Sequence, residues 1–526
     1  MTPDIPCSIS ILADLRAMER GRACIEAELD DLVVQLARVM ERRSDVERQQ
    51  AISTAMLSPV RRLPVEILSK IFELSIPHDW EQKFLGLRGP ASAEVCKVWR
   101  TVAIGMPQLW NNIGIDYRTD SKHLRSAFDL RMARCGQGPL RLHLAFHRHW
   151  GRSHSVPEVW ATLCSQSHRW SALTVENFSP RTAKGLHWTW PSHFPILSSL
   201  ELVGEDPDSP SLHVFSDAPI TSLKMCFSYS PRRPPALHST WKITNVDLHC
   251  EDIRSFLPLL LDCYLTLQHL DVETLSEIDG IPAFFGMEFP VLETLKLHYH
   301  ACRFLTYLET PRLRRLDLYG HEGGIGDMKK PLSEVAEKIR TSGVAESLGW
   351  LTLTDIEDAT QNIIQCLDLL PVLQSLDIEN RASPDYGEHE VISEELLRAL
   401  VRVPTDAASM NRLPRLRRLG LLWRMSEGIV CDRIDLVEAL LRSRSTEDTY
   451  EGKNLARIEW LETDLPGDWS LSDLSRHIAT TFMHFGILEI RRCCSYSNPP
   501  LKSTGRLLSV GISRCTISRN TQQHNP

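Results

Sequence analysis

The 526-residue chain lacks the short motifs that identify several large classes of enzyme. It contains no G-x-x-x-x-G-K-[ST] phosphate loop, no G-x-G-x-x-G dinucleotide fingerprint, no H-E-x-x-H zinc motif and no G-x-S-x-G nucleophile elbow. The glycine-rich stretch from Gly320 to Gly326 lacks the lysine of a phosphate loop, so we interpret it as a loop between structural elements. The sequence therefore predicts a protein that is not an enzyme and that needs no cofactor.

The patterns typical of metal sites are also missing. None of the 14 cysteines forms a C-x-x-C pair, which most structural zinc sites require. A group of histidines follows an apolar alternation that begins at Leu140, and this alternation predicts a half-buried strand rather than a metal site. The strand should direct its histidines to solvent, and the group comprises His143, His147, His149 and His154.

Long apolar runs and an excess of basic charge are absent as well. The longest apolar candidate, Phe256 to Leu261, is far shorter than the roughly 20 residues that span a bilayer, and it contains Pro258. The net charge is -8 and the pI is about 6.2, so no general attraction to nucleic acid is expected. Charged residues within the first twenty positions disfavour a secretory signal. We therefore expect a cytoplasmic or nuclear protein with neither a membrane nor a nucleic-acid partner.

The first feature present is a heptad pattern in residues 1–55. From Ile11 to Val46, apolar residues alternate at spacings of four and three, and only Arg22 and Arg43 interrupt them. Such a seam, held for about five heptads, is typical of a left-handed coiled coil. The pattern predicts self-association through residues 11–46, and the alternative is one long amphipathic helix that folds back on the body.

The second feature is a small helical region in residues 56–115. Pro64 suits the start of a helix, and apolar residues from Ile67 to Leu74 follow at helical spacing. Positions 95, 98, 99 and 102 are Val, Val, Trp and Val, which predicts a second amphipathic helix. Helices this short bury little surface alone, so their apolar face should meet another element or another protein. On this pattern alone, a helical subdomain packed on the rest of the chain remains open.

This region resembles an F-box of the variety abundant in fungi. The resemblance is carried by Leu63-Pro64-x-Glu66-Ile67-Leu68-x-x-Ile71-Phe72, by Val95-Cys96-x-x-Trp99-Arg100 and by Pro107-x-Leu109-Trp110. It implies that the region binds a Skp-type adaptor and thereby joins a cullin ubiquitin ligase core. The loop at residues 75–92 is longer than the family needs. The adaptor-binding positions that the resemblance implies are Leu63, Pro64, Ile67, Leu68, Ile71, Val95, Cys96 and Trp99.

From residue 139 to about residue 492 the chain carries a loose repeat. Each unit has a Pro or turn followed by Leu-x-x-Leu-x-Leu, as in Phe289-Pro-Val-Leu-Glu-Thr-Leu-Lys-Leu297. This spacing fits a leucine-rich-repeat-like solenoid, in which each unit is a strand and a return segment. The usual asparagine ladder is missing, so the alternative is an irregular α/β body. The leucines that should align are Leu173, Leu200, Leu223, Leu270, Leu295, Leu316, Leu351, Leu376 and Leu419, and Val246 should mark a further unit.

Residues that flank these leucines should point to the opposite, exposed face of the sheet. This face is the only extended surface that the sequence predicts, so we expect the protein substrate to bind there, although for any one residue a merely solvated position is the simpler interpretation. The candidate substrate-binding residues are Glu201, Lys224, Asp271, Lys296, Asp317, Trp350 and Asp377. Residues 498–526 contain no Asp or Glu and are predicted to be a disordered tail.

Together these features predict an α/β chain with an N-terminal coiled-coil helix, a small all-α F-box and a leucine-rich-repeat-like domain. The functional hypothesis is the substrate-recognition subunit of a Skp–cullin–F-box ubiquitin ligase. The alternative is a non-catalytic scaffold outside the ubiquitin system, in which the helical region caps the repeats.

Overall fold

The chain forms two compact units in a computed structural model. The helical unit comprises Met1–Pro77 and Pro90–Leu109, and the sheet unit comprises His78–Gly89 and Trp110–Pro526. The structure describes residues 6–57, 63–76, 90–116, 124–145, 156–176, 189–204, 212–227, 236–276, 286–320, 331–356, 358–380, 391–423, 434–463 and 489–491. The tail predicted at residues 498–526 lies outside these ranges.

One helix of 52 residues, α1, runs from Pro6 to Leu57. At 1.5 Å per residue it is about 78 Å long. Its seam residues that the structure describes, such as Leu29 and Leu36, are exposed. The seam arginines pair along the helix itself, Arg22 with Glu26 and Arg43 with Glu47, each at 2.8 Å. The predicted helix is therefore present, while its pairing with a second helix stays a prediction.

The rest of the helical unit consists of short helices. These are α2 (Val65–Leu74), α3 (Ser92–Val95), α4 (Lys97–Ile104) and a 3-10 turn (Pro107–Leu109). The single helix predicted through Val95 and Val102 is wrong, because Cys96 adopts an extended conformation with φ -156° and separates α3 from α4. The Cys96 Sγ then accepts a hydrogen bond from the Trp99 N–H, so this residue caps the start of α4.

The core of this unit forms where α2 meets α4. The rings of Phe72 and Trp99 contact edge to face, with centroids 4.9 Å apart. Leu68, on the same stripe of α2 as Phe72, is also buried.

The sheet unit is a mixed α/β body built on one large parallel sheet. In its fourteen described strands, every neighbouring pair is parallel and the spatial order follows the chain order. The strands are β1 (Asn112–Asp116), β2 (Leu140–Ala145), β3 (Trp170–Glu176), β4 (Ser199–Gly204), β5 (Ser222–Phe227), β6 (Asn245–Cys250), β7 (His269–Thr274), β9 (Thr294–Tyr299), β11 (Arg315–Tyr319), β12 (Trp350–Thr354), β13 (Ser375–Glu379), β14 (Arg418–Leu422), β17 (Trp460–Thr463) and β18 (Glu489–Arg491).

Two small ribbons and a set of helices complete the described part of this unit. β8 (Met287–Glu288) pairs with β10 (Leu308–Glu309), and β15 (Asp448–Tyr450) pairs with β16 (Lys453–Leu455). The helices are α5 (Leu124–Arg134), α6 (Val156–Ser165), α7 (Leu257–Cys263), α8 (Pro331–Ser342), α9 (Thr360–Asp368), α10 (Glu394–Leu400), α11 (Ala407–Asn411) and α12 (Ile434–Ser443).

The leucines that the repeat predicts to align do occupy one register row. Each pairs with its equivalent on the next strand, and Val246 fills the row between Leu223 and Leu270. All members of this row are buried. Since successive strand residues face opposite sides, one shared register places every second residue in the core.

The sheet begins earlier in the chain than the predicted boundary at residue 139. All of β1 except Asp116 lies inside the range 56–115 that the sequence assigns to the helical region, and β1 pairs in register with β2. Ile113 extends the buried leucine row, opposite Leu142. Ile115, opposite Leu144, extends a second buried row two residues further along each strand. The alternation in β1 covers only five residues, which is too short to stand out from the neighbouring helical pattern.

Candidate functional site

The helical unit presents two stripes of α2 in different environments. Leu68 and Phe72 are 2% and 1% exposed, whereas Ile67 and Ile71 are 49% and 40% exposed. Ile67, Ile71 and Leu74 recur at i, i+4 and i+7, so they share one side of the helix. The core of the unit therefore uses one apolar stripe and leaves a second one at the surface.

The adaptor-binding residues implied by the resemblance divide between these environments. Pro64, Ile67, Ile71 and Val95 are exposed, while Leu63, Cys96 and Trp99 are half-buried. Leu68 is the exception, because it lies in the core and presents no surface to a partner. Four further apolar residues of these helices are exposed but were not assigned to adaptor binding, although the sequence placed Leu74 and Val98 on the apolar helix faces. They are Val65, Leu74, Val98 and Ile104.

The open face of the sheet carries three rows of outward side chains. The middle row contains the predicted residues from Glu201 to Asp377, except that Trp350 belongs to the adjacent row, at the start of its strand. Asp317 lies on this face but is 0% exposed, so the expectation of an accessible carboxylate there is wrong. Arg315 on the same strand donates from Nε to the Asp317 Oδ2 at 2.8 Å.

From β4 to β9 the face is a ladder of paired charges. Lys224 Nζ lies 3.1 Å from Glu201 Oε1 and 3.7 Å from Asp247 Oδ2. His249 lies between Asp247 and Glu273, at 2.9 Å and 2.7 Å from their carboxylate oxygens. Its hydrogen bond to Asp247 raises the pKa of His249, with the charges of both carboxylates adding to the effect and burial opposing it.

The same ladder continues at Asp271. His298 Nε2 lies 3.0 Å from Asp271 Oδ1, and Lys296 Nζ lies 3.6 Å from Asp271 Oδ2. Burial alone would raise the pKa of Asp271, but the hydrogen bond from His298 and the charges of His298 and Lys296 outweigh it and lower that pKa. In this part of the face, the charged side chains form ion pairs with one another. Sequence reasoning singled out Lys224, Asp271 and Lys296 but missed Asp247 and Glu273 as their partners.

From β11 to β17 the face is built differently, around stacked arginine and tryptophan side chains. The Arg315 guanidinium lies 4.6 Å from the centroid of the Trp350 ring, and Arg418 lies 4.9 Å from the same ring. Arg418 also stacks on Trp460 at 4.3 Å. Ser375 stands between Trp350 and Arg418 in the row and is buried. Its small side chain leaves room for the two larger side chains to stack above it.

Beside this stack, the middle row runs Asp317, Thr352, Asp377, Gly420 and Glu462. A Cβ atom at Gly420 would lie 2.4 Å from the Asp377 Oδ1, so only glycine leaves that space open. Burial raises the pKa of Asp377 to about 6, and the charge of Glu462 adds to the rise while Arg418 and Arg315 oppose it.

The described residues offer no group of three or more His, Cys, Asp or Glu side chains that could hold a metal ion. The prediction that His143 faces solvent is wrong, since it is 1% exposed and its Nε2 lies 3.1 Å from Glu176 Oε1. From Leu142 to Ala145 both faces of β2 are buried, which an alternating pattern does not reveal. His147, His149 and His154 lie outside the described residues.

Burial raises the pKa of the Cys302 and Cys366 thiols to about 12, so these thiols stay protonated.

Comparisons with known proteins place the chain in no characterised family. No family model matches it, and no curated protein does. One solved structure with detectable similarity is a protein from Bacteroides fragilis, at 13% identity and a TM-score of 0.22, covering 46% of this chain and 69% of that chain. Agreement at that level indicates nothing about function. No helix in the described part of the chain is long and apolar enough to cross a membrane.

Proposed function

We propose that the chain is a non-catalytic substrate receptor of a Skp–cullin–F-box ubiquitin ligase. The observation that carries this proposal is the exposed stripe of α2, where Ile67 and Ile71 face solvent beside a core that is already filled by Leu68 and Phe72. Exposed apolar clusters on small domains are typical of interaction sites. The stripe coincides with positions that the F-box resemblance assigns to adaptor binding, namely Pro64, Ile67 and Ile71.

In this proposal the sheet unit is a leucine-rich-repeat-like solenoid that presents the target. An in-order parallel sheet with one continuous leucine row is the arrangement that stacked strand-and-return repeats would produce. Its outward rows of charged and aromatic residues offer an extended binding surface. The receptor makes no bonds itself. It raises the effective concentration of the target beside an enzyme that transfers ubiquitin. The location that we propose for the protein is cytoplasmic or nuclear.

Two further partners belong to the same proposal. The adaptor would connect the chain to the cullin ligase core, and α1 would pair with a second copy of itself through residues 11–46. The competing proposal is a scaffold outside the ubiquitin system, in which the helical unit has a structural role only. Ile67 and Ile71 discriminate between them, because a structural role does not require their exposed side chains.

The test is co-purification of the full chain with a Skp-type adaptor. We expect the parent to retain the adaptor and the Ile67→Asp, Ile71→Asp variant to lose it, since two carboxylates would have to be desolvated in the interface. A control, Glu73→Gln, alters an exposed residue of α2 that faces away from Ile67 and Ile71 and should bind as the parent does. Circular dichroism should be the same for all three proteins.

Two outcomes contradict the proposal. Adaptor binding by the aspartate variant would show that this stripe is not the docking site. Failure of the folded parent to bind would leave the helical unit with a structural role and favour the scaffold.

A further inference from the structure

The heptad seam of α1 is exposed along its length, and its size indicates what covers it. The apolar seam residues are between 48% and 64% exposed, whereas a helix that packs on its own domain buries such a stripe. The next longest helix that the structure describes, α8, has 12 residues, so it cannot cover five heptads. A second copy of α1 matches the seam in length. The exposed apolar seam residues are Leu15, Met18, Ile25, Leu29, Leu32, Leu36, Val39 and Val46.

The two arginines in the seam distinguish between a parallel and an antiparallel pair of helices. In a parallel pair in register, each seam residue meets its own copy, so Arg22 would face Arg22 and Arg43 would face Arg43. The ion pairs of these arginines with Glu26 and Glu47 are exposed, with arginine side chains 81% and 79% accessible, and water weakens such pairs. A parallel pair would therefore place like charges opposite each other in two of its layers.

An antiparallel pair avoids both contacts. In the register that overlaps the seam from Leu15 to Val46 of both copies, Arg22 faces Val39 of the second copy. Arg43 likewise faces Met18. The stem of each arginine can then pack over an apolar neighbour, while its guanidinium stays beside the glutamate at the rim. The other layers are apolar throughout and pair Leu15 with Val46, Ile25 with Leu36, and Leu29 with Leu32.

The charges in and beside the seam favour the same orientation. In residues 6–31, the seam and its flanking e and g positions carry four acidic side chains and one basic side chain, a net charge of -3. In residues 32–57 they carry one acidic and two basic side chains, a net charge of +1. An antiparallel pair brings these unlike halves together, and it also opposes the two helix dipoles. The charged residues are Asp14, Glu19, Arg22, Glu26 and Glu28 in the first half, and Arg42, Arg43 and Glu47 in the second.

We propose that α1 of two copies forms an antiparallel coiled coil in which Arg22 and Arg43 face apolar residues of the second copy. This inference rests on the self-association that belongs to the proposed function, and it adds the orientation and the register. Because each copy leaves the coil after Leu57, the two exits lie at opposite ends, roughly 80 Å apart at 1.5 Å per residue. The pair can then hold two adaptors at a distance from each other, whereas a parallel pair would bring them to the same end.

The test traps facing seam positions of the full chain with a short bismaleimide crosslinker. Every protein carries Cys7→Ser and Cys24→Ser, which remove both cysteines of α1. Two variants, Leu15→Cys and Val46→Cys, carry tags of different size and are co-expressed. We expect a crosslinked product that contains both tags, and no crosslinked dimer when either variant is expressed alone. The second facing pair, Ile25→Cys with Leu36→Cys, should give the same result.

The matched control combines Leu15→Cys with Leu32→Cys, which is a seam position two heptads, about 21 Å, away from the residue that faces Leu15. This combination should give no product with both tags. Crosslinking of Leu15→Cys to itself would indicate a parallel pair and would overturn the inference. Equal yields with the Val46→Cys and Leu32→Cys partners would overturn it too, as would the absence of crosslinks from both facing pairs or a monomeric parent in light scattering.

The two proposals fail separately. Adaptor binding by a chain that is monomeric, or that crosslinks in the parallel orientation, overturns only the inference about α1. Antiparallel crosslinking in a chain that does not bind the adaptor overturns the ligase proposal and leaves the coiled coil as part of a scaffold.

Discussion

At the scale of single residues, Asp377 shows how a side chain can occupy a place in the fold that disfavours its own charge. Its carboxylate is partly buried next to Glu462, so its charged form is less favourable in the folded chain than in water. Asp271, in the same row, is the opposite case, because His298 and Lys296 stabilise its charge.

This contrast predicts opposite effects of two identical substitutions. An acid whose pKa is raised on folding binds its proton more tightly in the folded state, so the parent loses stability as pH rises from about 4 through about 6. Asp377→Asn should therefore be more stable than the parent at pH 7.5, with the gain vanishing below about pH 4. Asp271→Asn should be less stable than the parent at pH 7.5. Urea denaturation at both pH values measures this, and destabilisation by Asp377→Asn at pH 7.5 would contradict it.

Residue-level accessibility was the least predictable property from sequence. The alternation in β11 places Asp317 on the open face, as expected, but it cannot show that the side chains around it cover it completely. His143 was misassigned for the same reason, since alternation indicates a direction and not an exposure. Asp247, Glu273 and the Arg315–Trp350–Arg418 stack come from units far apart in sequence, and only the register of the sheet brings them together.

At the scale of elements, periodicity predicted most of the architecture. Leucine spacing placed ten positions, including Val246, in a single row of the sheet, because every unit repeats the same alternation and the strands share one register. The heptad pattern likewise predicted a long helix, which α1 is. Short elements escaped this reasoning. The break at Cys96 depends on a single extended residue, and β1 offers too few residues for a clear period.

The exposed seam of α1 leads to a prediction for this element. Light scattering on the full chain should give the mass of a dimer, because pairing would bury Leu29, Leu36 and their equivalents. Leu29→Glu with Leu36→Glu, which puts charges into the seam, should give a monomer. Ala27→Glu with Val34→Glu lies outside the seam and should remain dimeric. A monomeric parent at high concentration, or two variants with the same mass, would contradict pairing through residues 11–46.

At the scale of the whole molecule, the proposal assigns adaptor binding to the helical unit and target binding to the sheet unit. The helical unit combines a small filled core with an exposed apolar stripe, and the sheet unit combines a continuous leucine core with a long polar face. The sequence predicted both cores from apolar spacing. It could not predict that Leu68 belongs to a core and Ile67 to a surface, because both are apolar neighbours on one helix and only the packing of Phe72 against Trp99 separates them.

Hydrogen–deuterium exchange of the full chain, with and without a purified Skp-type adaptor, tests the central claim most directly. The proposal predicts that the adaptor slows exchange in residues 65–74 and 92–104 and leaves the strands of the sheet unit unchanged. The same protection should be absent in the Ile67→Asp, Ile71→Asp variant. Protection confined to the sheet unit, or no protection at saturating adaptor, would contradict docking through the helical unit.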